Sequence, residues 1–161
     1  MNRRLDYHSV APNAIRPLFE AGKTLRSSGL EPKLLVLTQV RASQINGCAF
    51  CLALHTKEAL ALGEPVERIT ALSAWRETPW YTDRERMALE WTEALVTISR
   101  AHPEEDLIER ARASFTETEL VYLTVAINTI TAWNQLNVAF ATSPELAEDV
   151  FRQLHPNGVP V

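Results

Sequence analysis

Glycine, cysteine and positive charge are all in short supply. Only five glycines and two cysteines occur in 161 residues, and the 20 acidic residues outnumber the 16 lysines and arginines. A formal charge of −4 gives no basic footprint for nucleic acid or for an anionic membrane surface. No apolar run approaches the roughly 18 residues of a membrane span. The N-terminal stretch carries Arg3 and Arg4 but no apolar segment behind them, so it does not read as a secretory signal. There is no glycine-rich phosphate loop, no nucleophile elbow and no dinucleotide fingerprint. These absences point to a cytosolic protein with no nucleic-acid partner, no membrane partner and no cofactor. A lasting structural disulfide is rare in that compartment, so paired cysteines there suggest redox or metal chemistry.

What is present is helical periodicity. Apolar residues recur at three- and four-residue spacing, and strand-like alternation is hard to find. The length suits a single domain over 1–161, large enough for a core without staples. Helix starts are marked clearly. Thr82-Asp-Arg-Glu85 and Thr116-Glu-Thr-Glu119 fit the capping box, in which hydroxyl and carboxylate satisfy free N–H groups reciprocally. Ser143-Pro144 sets a cap before a proline at the first helical position, and Glu64-Pro65 and His102-Pro103 also read as helix entries. The expected map is a bundle of about seven to eight helices. They cover 12–27, 32–46, 48–62, 65–75, 83–101, 103–113, 117–141 and 144–154, with a loose tail from His155 onward.

Both cysteines fall in one stretch, Gly47-Cys48-Ala-Phe-Cys51, with His55 one turn on and Glu58 beyond it. On a helix, positions i, i+3 and i+7 share a face, so Cys48, Cys51 and His55 form one stripe that Glu58 extends. A helix that begins at or just after Gly47 sets Cys48 in its first turn, where unpaired N–H groups and the positive end of the dipole favour the thiolate. One sulfur of such a pair can attack an oxidant, and the other can condense with the resulting sulfenic acid. His55 is placed to take or return a proton. Plainer readings stand beside this one. Both cysteines could be core packing, His55 a bystander and Glu58 a solvated or ion-paired residue. Two thiolates and an imidazole could also hold zinc, but a structural site needs a fourth ligand, and His8, His102 and His155 lack ligand spacing. Trp75 and Trp133 are candidates for packing near the dithiol around a dry pocket.

The run Ser43-Gln-Ile-Asn-Gly-Cys48-Ala-Phe-Cys51 with His55 resembles the AhpD-like alkylhydroperoxidase branch of the carboxymuconolactone decarboxylase superfamily. The stretches Ala71–Leu95 and Leu123–Ala141 add to the likeness, which covers about residues 12–142. The resemblance implies an all-α, AhpD-like helical bundle assembled as a homo-oligomer, a trimer or hexamer. It also implies a thiol peroxidase. Cys51 would attack a hydroperoxide, Cys48 would resolve the sulfenic acid, and His55 would serve a proton relay. A dithiol reductant, a lipoyl-bearing protein in better known members, would reopen the disulfide. The family's relay glutamate falls at Val36 here, which moves no proton, and Phe50 stands where AhpD has a histidine between its cysteines. Glu20 and Glu58 are the candidate replacements for the relay carboxylate. The alternative is a non-catalytic redox sensor or oligomeric binding protein of the same fold.

Overall fold

A computed structural model describes residues 3–159. Among these every regular element is a helix and there is no strand. Nine α-helices follow in order: α1 (Tyr7–Val10), α2 (Pro12–Arg26), α3 (Pro32–Asn46), α4 (Ala49–Ala61), α5 (Val66–Ala71), α6 (Asp83–Val96), α7 (Leu107–Arg112), α8 (Glu117–Ala139) and α9 (Ala147–Leu154). Short 3₁₀ segments at Leu72–Glu77 and Pro144–Leu146 join α5 to the α6 approach and α8 to α9.

Local signals account for most boundaries. Proline opens α2 and α3, where its missing N–H costs nothing. Both capping boxes form: Thr82 and Glu85 close the start of α6, and Thr116 and Glu119 that of α8. Arg84 then links three helix starts, bonding Glu31 at 2.9 Å and Glu119 at 2.6 Å.

Helix α3 runs through the centre. Leu34 and Leu35 enter a cluster with Leu123 and Ile127 of α8 and Met87 of α6. Val36, Leu37 and Val40 face a second cluster with Leu72, Trp75 and Leu89. Ala42 joins a third, around Cys48, Phe50, Cys51 and Leu54 of the α4 region and Ile130 of α8. Burial of each such aliphatic side chain contributes about 1.5–3 kcal/mol. The buried hydroxyls of Thr38 and Thr92 donate to carbonyls of their own helices at 2.7 Å, so no polar group is stranded there.

Five expectations from the sequence need correction. The helix expected over 65–75 is split, because Ala74 leaves helical geometry (φ −121°, ψ 30°). The helix expected to reach 101 ends at Val96, where the Thr97 hydroxyl donates to the Glu93 carbonyl and competes with the ladder. The helix expected from 103 begins at Leu107, after a turn carrying the acidic run Glu104–Asp106. A short α1 forms where none was expected, capped by the Asp6 carboxylate on the His8 and Ser9 amides. Finally, the described part of the tail, 155–159, is not loose: His155 is hydrogen-bonded and Val159 packs on the second cluster, while 160–161 lie outside the described residues.

Candidate active site

The dithiol sits where α3 gives way to α4. Gly47 ends α3 in left-handed geometry (φ 66°), which glycine adopts without a Cβ penalty. The chain turns and Cys48 becomes the N-cap of α4, its Sγ accepting from the Cys51 amide at 3.3 Å. Cys51 therefore occupies the first turn, and Cys48 lies one position outside the helix. The turn is held from α8: Asn46 Nδ2 donates to the Asn134 side-chain oxygen Oδ1 at 3.0 Å, and Asn134 Nδ2 donates to the Ser43 hydroxyl at 3.0 Å. Cys48 and Cys51 are joined as a disulfide, with Cα atoms 5.4 Å apart, inside the ordinary span for such a bond.

The two cysteines differ in placement. Both residues are almost fully buried, yet Cys51 lines a cavity of about 270 Å³ and Cys48 does not. The cavity wall is mostly apolar, with Leu18, Phe19, Leu35, Phe50, Leu54 and Trp133 among its side chains. His55 and Glu58 stand on the same wall. His55 Nδ1 lies 2.5 Å from one Glu58 oxygen, and His155 Nε2 lies 2.6 Å from the other. Burial alone would raise the Glu58 carboxyl, but the charges and hydrogen bonds of His55 and His155 outweigh it and hold the group at about 2. Glu58 is thus an ionised acceptor, so both contacted ring nitrogens carry hydrogen. His55 keeps Nε2 for taking up or releasing a proton.

The remaining expected positions are settled by placement. Glu20 is exposed, pairs with Lys23 at 2.8 Å on α2 and does not line the cavity, so of the two carboxylates only Glu58 shares the cavity with Cys51. Val36 lines the same cavity as Glu58. Trp133 meets the cavity. Trp75 does not, because its indole donates to Glu93 at 2.9 Å and its ring lies under Arg76 in the second cluster. No cluster of three or more His, Cys, Asp and Glu side chains able to hold a metal occurs among the described residues.

Sequence reasoning missed three site residues. His155 comes from the end of α9, Tyr7 from α1 and Asn137 from α8. Asn137 Nδ2 donates to Cys51 Sγ at 3.4 Å, and the Tyr7 hydroxyl donates to Asn137 Oδ1 at 2.9 Å. None has local spacing to the dithiol. A signal existed for Asn137: Asn134 and Asn137 lie i, i+3 in a stretch without a charged residue from Leu120 to Ala139, where a buried amide needs a partner.

Comparison with known proteins agrees with the fold. The carboxymuconolactone decarboxylase family model matches residues 12–94. The uncharacterized protein YdfG of Bacillus subtilis is 34% identical over 139 residues, 86% of this chain and 95% of that protein. Among solved structures, ATU0492 of Agrobacterium tumefaciens superposes with a TM-score of 0.85 at 38% identity, covering 88% of this chain and 97% of that one. It is a protein of unknown function with a provisional AhpD antioxidant-defence name. The debrominase Bmp8, in complex with 2,3,4-tribromopyrrole, shares the fold at 17% identity (TM-score 0.76, covering 89% of this chain and 79% of that one). The chain belongs to the carboxymuconolactone decarboxylase family, in its AhpD-like branch.

Proposed function

We propose that this protein is a dithiol oxidoreductase that reduces organic hydroperoxides. The observation that carries the reading is that Cys51, His55 and Glu58 line one mostly apolar cavity, with Cys48 disulfide-bonded to Cys51. In the reduced protein, His55 takes the Cys51 thiol proton. The thiolate attacks the terminal oxygen of the hydroperoxide, the O–O bond breaks, and its electron pair leaves on the alkoxide. His55 returns the proton to that oxygen, giving an alcohol and a Cys51 sulfenic acid. Cys48 thiolate then attacks Cys51 sulfur, expels hydroxide, which collects the Cys48 proton as water, and closes the disulfide. Glu58 orients His55 and stabilises its protonated form. An external dithiol, with a lipoyl-bearing protein as the favoured donor, reopens the disulfide by exchange. A reducing compartment such as the cytosol and a homo-oligomeric state belong to the same proposal.

The absence of a carboxylate at Val36 favours a second reading, a redox sensor oxidised once per chain without turnover. Peroxide consumption with a dithiol donor decides between them. The proposal expects many turnovers in wild type and loss of about a hundredfold or more in Cys51→Ser and in Cys48→Ser. One equivalent consumed per chain favours the sensor. Mutants equal to wild type would end the peroxidase reading.

A further inference from the structure

We propose that Asn137 is a catalytic residue that holds the Cys51 thiolate, and that Tyr7 is the positioning residue that fixes its orientation. Both lie outside residues 12–94, the part of the chain that the family model matches. The inference deepens the proposed dithiol chemistry and rests on it.

The amide orientation follows from the acceptor set. The Trp133 carbonyl can only accept, and it lies 2.9 Å from the Asn137 amide nitrogen. That nitrogen has a second hydrogen, and Cys51 Sγ stands 3.4 Å away to receive it. The amide oxygen then faces the other way, where the Tyr7 hydroxyl donates at 2.9 Å. The Trp133 carbonyl alone fixes the orientation, and the contacts to Cys51 and Tyr7 are both satisfied by it. Tyr7 and Asn137 are both buried, so neither bond is exchanged freely with water. Burial pushes the Tyr7 hydroxyl above its ordinary value, which keeps it a neutral donor.

Tyr7 itself is held in place. The Arg4 amide bonds the Phe140 carbonyl at 2.9 Å, tying the N-terminal segment to the end of α8. The Tyr7 ring packs against Phe140, with centroids 5.7 Å apart. A short helix that looks peripheral thereby reaches the sulfur through a single intermediary.

An N–H aimed at sulfur favours the thiolate over the thiol. A lower thiol pKa enlarges the thiolate fraction in full proportion, whereas nucleophilicity falls only about half as steeply, so reactivity at neutral pH rises. The donor acts before the thiolate attacks the peroxide and again when Cys51 leaves as thiolate during disulfide reduction. Other ionisable groups also face this cavity. They are His55 and Glu58 on α4, Tyr7 and His8 on α1, Arg26 on α2 and His155 at the end of α9. A comparison of variants that retain them isolates the Asn137 contribution.

The test is a pH titration of Cys51 in the full chain carrying Cys48→Ser. It is followed by ultraviolet thiolate absorbance and by the rate of iodoacetamide alkylation. Asn137→Ala is expected to raise the apparent pKa by about one unit and slow alkylation at neutral pH about threefold. Tyr7→Phe keeps the ring and is expected to shift the profile the same way by a smaller amount. Circular dichroism confirms folding, and Tyr7→Phe carries the test if the alanine variant does not fold. Unchanged profiles in folded variants would overturn the proposal. No peroxide is involved, so a failed peroxidase assay and a failed Asn137 assignment remain separate results.

Discussion

Glu58 sets the charge balance of the site at the scale of single residues. It sits half-buried between two imidazoles, and its carboxyl is held at about 2 against an ordinary value of 4.5. A depressed folded-state pKa contributes stability above the unfolded value and loses it as pH falls through the folded one. The Glu58 contribution is therefore present above about pH 4.5 and fades toward about pH 2. Glu58→Gln should flatten the acid side of the stability profile in that window, as measured by thermal melting at stepped pH. His155→Ala removes one of two donors to a half-buried carboxylate and should cost about 1–2 kcal/mol in urea unfolding. A variant as stable as wild type would show that the 2.6 Å contact is not maintained in solution.

At the scale of elements, the start of α4 depends on how α3 stops. Gly47 adopts φ 66°, and a Cβ added there would meet nothing within 4 Å. Gly47→Ala should therefore cost about 1–2 kcal/mol from backbone strain alone, without a clash. The disulfide should still form, because the Asn46–Asn134–Ser43 hydrogen bonds continue to hold the turn. Denaturant unfolding and thiol counting read these two outcomes separately. Most helix positions, including α3, α4 and α8, were legible because their punctuation is local: Pro32, Gly47 and the two capping boxes. The break at Ala74 and the early stop at Val96 were not, since no glycine or proline marks them. The cysteine stripe was legible for the same reason, being a spacing on one helix. The N-cap position of Cys48 was not, because it depends on where the turn after Gly47 ends.

At the scale of the whole molecule, the site is closed by the two ends of the chain. Tyr7 comes from the first helix, His155 follows the last, and Glu58 and His155 are 97 residues apart. Separations of that kind leave no periodic trace, which is why the tail read as loose and why three site residues went unseen. The central helix α3 supports all three clusters, so damage there should spread. Leu37→Ala, at a position with 1% exposure, should destabilise the molecule by about 2–5 kcal/mol and lower its unfolding midpoint in denaturant.

The central claim is that Cys51, the cysteine that lines the cavity, meets the peroxide first. The direct measurement is mass spectrometry after one equivalent of an organic hydroperoxide, with dimedone present to trap sulfenic acid. Reduced Cys48→Ser protein should carry one adduct, on Cys51, and reduced Cys51→Ser protein none. An adduct on Cys48 in the second variant, or none on Cys51 in the first, would contradict the account.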